Sequence, residues 1–123
     1  EFATRSSVKS LKDDINERME LLCESIGVEL ELEDDYPEWE YAKDSKLEQI
    51  CVETYEKLYN KKPEIVAIHA GLECGLLKEH YPNIDMISVG PTIRNAHSPD
   101  EKVQISTVQT YWKLLTKVLA DIK

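Results

Sequence analysis

The sequence predicts an α/β protein in which a strand–helix–strand unit precedes a doubly wound arrangement of helices and strands. Apolar residues at three- and four-residue spacing predict a helix between Ser7 and Gly27. Strict alternation over residues 28–33 predicts a strand with one face in solvent. The apolar run at residues 65–68 predicts a strand covered on both faces. The later order of helix, strand, helix, strand and helix is typical of a doubly wound sheet.

The first part of the chain is predicted to be a small unit that needs further strands. Residues 2–6 predict a short strand, Ser7 a helix N-cap, and Gly27 a helix C-cap. The apolar face of the helix is formed by Val8, Leu11, Ile15, Met19, Leu22 and Ile26. Because two strands and one helix make too small a sheet to be stable alone, we expect neighbouring elements to complete it.

An acidic segment separates the two predicted parts. Residues 34–40 contain four acidic side chains and Pro37, which favours a linker over a regular element. The domain boundary is therefore predicted between residues 36 and 44, giving domains at residues 1–43 and 44–123.

The second part predicts alternating helices and strands. Ser45 is expected to cap a helix that ends near Pro63. Strands at 65–68 and 85–89, a loop at 71–75 and a short helix at 74–80 follow. A last helix begins near Ser106. Its predicted apolar face comprises Val108, Trp112, Leu115 and Leu119, with Tyr111, Leu114 and Val118 adjoining.

Composition excludes several classes of protein. Acidic residues outnumber basic ones by 24 to 15, and the net charge of −9 argues against nucleic-acid binding. No apolar run reaches the roughly 20 residues that span a bilayer, so no membrane association is predicted. The three widely spaced cysteines predict reduced thiols in a cytoplasmic protein, because a disulfide framework uses an even number.

The loop at residues 90–101 is the best candidate for a functional segment. It follows a predicted strand, is constrained by Gly90 and two prolines, and presents His97. For an isolated histidine, a hydrogen bond to a carbonyl or to Asp100 is the commoner role, since a zinc site needs about four ligands. On the residues alone, both interpretations stay open.

Two motifs make the chain resemble the C-terminal end of aminoacyl-histidine dipeptidases, which belong to the di-zinc family that includes carnosinase and peptidase T. They are Ile68-His69-Ala70-Gly71-Leu72-Glu73-Cys74-Gly75 and His97-Ser98-Pro99-Asp100-Glu101. The resemblance implies a metallopeptidase, and hence a hydrolase. Residues 1–43 would be the second half of an α+β lid domain of the dimerisation type. Residues 44–123 would be the C-terminal portion of the doubly wound zinc-peptidase catalytic domain.

The resemblance also implies roles for particular residues. His97 is similar in position to the last zinc ligand of the family, where two zinc ions, or other divalent metals, are bound. Arg5 resembles the lid-strand arginine that holds the C-terminal carboxylate of a dipeptide substrate, although a surface role on a strand is the alternative. Glu73 and His69 would face the substrate, and for Glu73 the alternative is a solvated loop acid. Asp100 and Glu101 are interpreted as loop and cap residues.

No residue of this chain is assigned as catalytic. The resemblance implies that the general base and the other metal ligands lie in earlier sequence. An N-terminal portion is expected to be missing, because the first predicted strand has nothing leading into it. The chain alone is therefore expected to be inactive. A homodimer is compatible with the lid. Alternatives are a broader cytosolic dipeptidase or tripeptidase, a non-catalytic α/β binding module, and one subunit of a split enzyme.

Overall fold

The computed structural model describes residues 2–33, 37–68 and 73–122. Within these ranges the chain forms four helices and two short strands: α1 (Lys9–Ile26), α2 (Lys46–Tyr59), α3 (Glu73–His80), β1 (Ile93–Arg94), β2 (Lys102–Val103) and α4 (Ile105–Asp121). It divides into two compact units. The first comprises Glu1–Lys43 and Val66–Ile84, and the second comprises Asp44–Ile65 and Asp85–Lys123. None of the helices in the described ranges is long and apolar enough to cross a membrane.

Helix α1 ends as its sequence predicts and begins one residue later than predicted. Gly27 adopts a left-handed backbone with φ 70°. Its N–H donates to the Glu24 carbonyl at 3.1 Å, and the Val28 N–H donates to the Cys23 carbonyl at 2.9 Å. These paired bonds form a Schellman motif. The prediction that Ser7 is the N-cap is wrong, because Val8 occupies the N-cap position and makes no side-chain cap bond.

The buried side of α1 differs from the predicted apolar face. Leu11 and Ile15 of that face are exposed, whereas Lys12 is buried. The Lys12 Nζ lies 3.0 Å from Oε1 of Glu38, and the two side chains are 7% and 12% exposed. Part of the predicted linker therefore packs on α1. The cause is an ion pair with Lys12, which a hydrophobic pattern does not encode.

A second close contact fixes the same segment of the first unit. Gly75 is buried in α3, and a β carbon built on it would collide with the carbonyl oxygen of Pro37. The absence of a side chain at Gly75 thus lets this backbone approach α3 closely. Helix α3 includes Glu73, Cys74 and Gly75, so this part of the predicted 71–75 loop is helical.

Helix α2 is capped both locally and from a distance. The Ser45 Oγ accepts a hydrogen bond from the Glu48 N–H at 2.9 Å, which confirms Ser45 as the N-cap. The same hydroxyl donates to Oδ1 of Asp85 at 2.6 Å. The other Asp85 carboxylate oxygen accepts from the Leu47 N–H at 2.9 Å. The Asp85 side chain thus helps to cap the first turn of α2, which lies about 40 positions earlier in the sequence.

The core of the second unit lies between α2 and α4. Its buried apolar side chains are Cys51, Leu114 and Val118, packed against Leu47, Ile50, Tyr55, Tyr59 and Ile87. The Tyr59 hydroxyl donates to the Thr110 carbonyl at 2.7 Å and joins the two helices. Burial raises the pKa of the Cys51 thiol. All three cysteines are free, which agrees with the prediction of reduced thiols.

Helix α4 buries the side that was predicted only to adjoin its apolar face. Leu114 is 8% exposed, whereas Trp112 is 61% exposed. Val108 and Leu119, from the predicted face, are also exposed. Both sides of α4 are apolar, so the pattern alone does not decide which side α2 covers. The predicted face was therefore wrong for this chain, except at the half-buried Leu115.

None of the four predicted strands forms a strand within the described residues. The segments 2–6, 28–33, 65–68 and 85–89 have no strand assignment, and only β1 and β2 pair. A strand needs a neighbour to exchange backbone hydrogen bonds, and no described segment supplies one to them. Their apolar side chains stay largely in solvent; Val66, for example, is 64% exposed. The mixture of helices and strands is consistent with an α/β fold, but the predicted sheet does not form among the described residues.

Candidate functional site

His97 lies at the tip of a β-hairpin. Strands β1 and β2 are antiparallel, with Ile93 opposite Val103 and Arg94 opposite Lys102. The seven-residue loop between them, residues 95–101, carries the histidine. The sequence predicted a rigid loop here but did not predict the pair of strands that closes it. We refer to residues 92–104 as the His97 hairpin.

The base of the His97 hairpin is tied to the start of α4. The Gln104 N–H donates to the Thr92 carbonyl at 2.9 Å. The Thr92 N–H donates to Oγ1 of Thr107 at 2.9 Å, and this hydroxyl donates in turn to the Gln104 carbonyl at 2.7 Å. Thr107 therefore accepts from one end of the hairpin and donates to the other. This places the loop on a rigid element of the second unit.

The loop itself has an unusual backbone that its own polar groups support. Asn95 and His97 both have left-handed backbones, with φ of 54° and 63°. The Ser98 Oγ donates to the Asn95 carbonyl at 2.7 Å, and the Glu101 N–H donates to the Ser98 carbonyl at 3.0 Å. The His97 N–H donates to Oε2 of Glu101 at 2.7 Å.

The sequence did not predict the contact that Glu101 makes in this loop. Glu101 was interpreted as a loop or cap residue, yet α4 begins at Ile105 with Gln104 as its N-cap. Its carboxylate instead accepts from the backbone of His97. No residue-type signal identifies this contact, because it depends on the turn at residues 98–101, which returns the fourth residue after His97 to its neighbourhood.

His97 fits a metal site as a single ligand. Its side chain is exposed, and its imidazole has no hydrogen-bond partner among the residues that the structure describes. An imidazole nitrogen is a preferred zinc ligand, but a zinc site needs about four donors. In the described ranges, no group of three or more His, Cys, Asp or Glu side chains is arranged to hold a metal ion. The described residues thus place one imidazole on a preformed loop, and this is a single one of the donors that a zinc site would need.

The other predicted site residues belong to the first unit or lie outside the described residues. Arg5 is exposed ahead of α1 and forms no ion pair with a described residue. Glu73 is the exposed first residue of α3, where its negative charge interacts favourably with the helix dipole. His69 lies outside the described residues. Arg5 and Glu73 are thus in one unit and His97 in the other.

Comparison with known proteins defines the class of this chain. Residues 5–121 match the model of peptidase family M20/M25/M40. Since the match covers nearly the whole chain and includes His97, the chain belongs to that peptidase family.

Two relatives show which members of the family it is similar to. The chain is 46% identical over 118 residues to the cytosol non-specific dipeptidase of Escherichia coli (strain K12), covering 96% of this chain and 24% of that protein. It also superposes on the crystal structure of aminoacylhistidine dipeptidase from Vibrio alginolyticus with a TM-score of 0.81 and 44% identity. That match covers 96% of this chain and 24% of the other. The chain therefore spans about a quarter of the length of the relatives it matches.

Proposed function

We propose that this chain is part of a zinc-dependent dipeptidase. In this proposal, residues 1–43 belong to a lid domain and residues 44–123 to the catalytic domain. The observation that carries the proposal is the exposed His97 imidazole on a preformed hairpin, within the residues that match the peptidase family. Zinc, or another divalent metal, supplies a Lewis acid for the peptide carbonyl when it is bound.

The residues of this chain would have binding roles in that reaction. His97 contributes one of the ligands that hold the metal, and the remaining ligands and the general base come from other sequence. Arg5 suits the C-terminal carboxylate of a dipeptide, because its planar guanidinium can donate to both carboxylate oxygens. Glu73 suits the substrate ammonium group, because an exposed carboxylate can pair with it. In this proposal His69, four positions before Glu73 in the sequence, would also face the substrate.

Exposed apolar surface supports a larger parent protein. Leu11 and Leu22 on α1, Val66 in an extended segment, and Ile105 and Trp112 on α4 are all exposed. Large apolar patches of this kind usually mark surfaces that other elements cover. The length of the relatives supports the same proposal. We infer that further sequence of the same protein pairs with the extended segments and covers these faces. A lid of this type is compatible with a homodimer.

Two substrate ranges follow from the names of the relatives. One relative is an aminoacylhistidine dipeptidase, which favours Xaa-His substrates such as β-Ala-His. The other, slightly more identical, is a cytosolic non-specific dipeptidase, which favours a broader range and a cytoplasmic location. We propose cleavage of Xaa-His dipeptides as the first activity and a broader dipeptidase activity as the second. The ratio of rates on Xaa-His and on histidine-free dipeptides distinguishes them.

A chimera tests the proposal directly. The matching quarter of the Vibrio alginolyticus enzyme is replaced by this chain, with junctions taken from the superposition. We expect the chimera to fold, bind zinc and cleave dipeptides. His97→Ala should remove much of the zinc and nearly all activity while leaving the circular dichroism spectrum unchanged. A folded, inactive chimera would overturn the proposal. A chimera that does not fold would also count against it, because an equivalent segment should be interchangeable.

The same chimera tests Arg5. Replacing the two-pronged guanidinium by a single ammonium in Arg5→Lys should weaken catalysis by about 1–3 kcal/mol. Dipeptides with an amidated C-terminus lack the carboxylate, so they should show little difference between Arg5 and Lys. An equal loss on free and amidated dipeptides would make Arg5 structural. Arg18→Lys is the matched control, because Arg18 is an exposed α1 residue that pairs with Asp14.

A further inference from the structure

The bond between Glu101 and His97 involves the backbone of the histidine rather than its side chain. The carboxylate Oε2 of Glu101 accepts from the His97 N–H at 2.7 Å. This short distance is typical of a hydrogen bond to a charged acceptor. The imidazole of His97 takes no part in the bond and remains available.

The backbone that this bond holds is one that L-residues seldom adopt. His97 has φ 63°, a left-handed conformation that is disfavoured for residues with a β carbon. Such conformations persist only where the surrounding structure holds them. The Glu101 carboxylate occupies the position from which it can do so, since the turn through Ser98 brings residue 101 back beside residue 97.

The other acidic residue of the loop provides a contrast. Asp100 is adjacent to Glu101 in sequence and also exposed. Asp100 contributes a hydrogen bond to the loop through its backbone, because its N–H donates to the Ser98 Oγ at 3.3 Å. The two neighbouring carboxylates therefore differ in their hydrogen bonding: of the two, that of Glu101 accepts from the histidine backbone.

We propose that Glu101 is a positioning residue for His97. It sets the left-handed backbone of the histidine and so fixes the direction in which the imidazole is presented to the metal. This inference rests on the proposed metallopeptidase function. Glu101 is not itself a metal ligand in this proposal, because its Oε2 is engaged by the backbone N–H. To position His97, Glu101 must supply an acceptor oxygen at the right distance. Its negative charge is less important for this role than the oxygen.

If Glu101 has this role, three substitutions should have different effects. Glu101→Ala removes the acceptor. Glu101→Gln keeps an oxygen at the same distance and should largely restore the bond. Asp100→Ala removes a carboxylate of the same charge from the adjacent position and is the matched control.

The first measurement uses the chain itself and needs no metal. Hydrogen exchange of the His97 amide, followed by NMR, reports the bond directly. We expect Glu101→Ala to accelerate this exchange at least tenfold and to change the φ-sensitive coupling of His97, with both close to wild type in Glu101→Gln and Asp100→Ala. Unchanged exchange and coupling in Glu101→Ala would overturn the positioning role.

The second measurement uses the chimera and a competing chromophoric chelator for zinc. Loss of the residue that orients a metal ligand typically weakens affinity 10–100-fold. We expect that loss in Glu101→Ala, with full activity regained at saturating zinc, and less than a threefold change in Glu101→Gln and Asp100→Ala. His97→Ala should not regain activity at any zinc concentration.

The outcomes distinguish the two proposals. A wild-type chimera without zinc or activity refutes the proposed function, whatever the amide exchange shows. A zinc-loaded, active wild-type chimera in which Glu101→Ala keeps wild-type zinc affinity refutes the positioning role alone. If Glu101→Gln is as damaging as Glu101→Ala, the carboxylate charge is what matters, and the backbone-acceptor explanation is wrong.

Discussion

The cap that Asp85 provides to helix α2 can be tested quantitatively. Asp85→Ala removes the acceptors of two hydrogen bonds, from the Ser45 hydroxyl and from the Leu47 N–H. Bonds to charged groups contribute about 1.5–3 kcal/mol each, and partial exposure to solvent favours the lower figure. We therefore expect a loss of about 3 kcal/mol in the stability of the first turn of α2. Asp85→Asn keeps one acceptor oxygen and should cost about half as much.

Amide hydrogen exchange measures this loss where it occurs. Since about 1.4 kcal/mol corresponds to a factor of ten, Asp85→Ala should reduce protection of the Leu47 amide by about a hundredfold. Ser45→Ala should instead affect the Glu48 amide first, because the Ser45 Oγ is its acceptor. The two variants should therefore lose amide protection in a different order along the first turn of α2.

The control for this prediction is Asp44→Ala. Asp44 is exposed and precedes the cap, so its removal changes the charge near the same helix end. We expect a change within about 0.5 kcal/mol for this surface substitution. If Asp85→Ala and Asp44→Ala reduce protection equally, charge alone stabilises the helix end and the hydrogen-bonded cap is unimportant. Unchanged protection of Leu47 in Asp85→Ala would refute the reasoning altogether.

Two further predictions concern the first unit, both measured by urea unfolding followed by tryptophan fluorescence. Lys12→Met leaves Glu38 buried without its cation and should destabilise the unit by about 3 kcal/mol, most of which Lys12→Met/Glu38→Leu should recover. Burial raises the pKa of Glu38, but hydrogen bonding, chiefly from Lys12, and the charge of Lys12 outweigh it and hold the pKa below its ordinary value. The stabilisation from the ionised Glu38 is therefore present above the pKa of Glu38 in the unfolded chain and is lost as the pH falls through its pKa in the folded chain. The double variant should lack this acid-sensitive part of the stability. Identical dependence of stability on acid pH in the wild type and the double variant would contradict the prediction. Gly75→Ala should cost about 1–3 kcal/mol through collision with Pro37. The control Gly90→Ala, which lies in the second unit and has no atom within 4 Å of the added carbon, should be nearly neutral. Equal effects of the two substitutions would show that the collision is relieved.

Helix positions were predictable because their signals are local. Gly27 and Ser45 end and begin helices through bonds to residues three or four positions away. The strands were not predictable in the same way, because pairing depends on a neighbour that must be supplied by another segment. Residues 65–68 have the composition of a covered strand, yet no described segment covers them.

The covered sides of the helices and the support of the candidate site also escaped prediction. On α1 the buried residue is Lys12, because an ion pair with Glu38 decides which side is covered. On α4 both sides are apolar, and packing against α2 selects the side of Leu114. His97 was chosen from a motif. The role of Glu101, in contrast, depends on a turn whose backbone angles are not encoded in residue types alone.

The closure of the His97 hairpin has a consequence for the order of folding. The hydrogen bonds that form it join residues no more than 15 positions apart, whereas the Asp85 cap joins residues about 40 apart. Short loops lose less entropy on closing, and hairpins form in about 1–10 microseconds. The hairpin can therefore take shape early, ahead of contacts between distant parts of the chain. During synthesis, the histidine would be presented as soon as its own segment and the start of α4 had emerged.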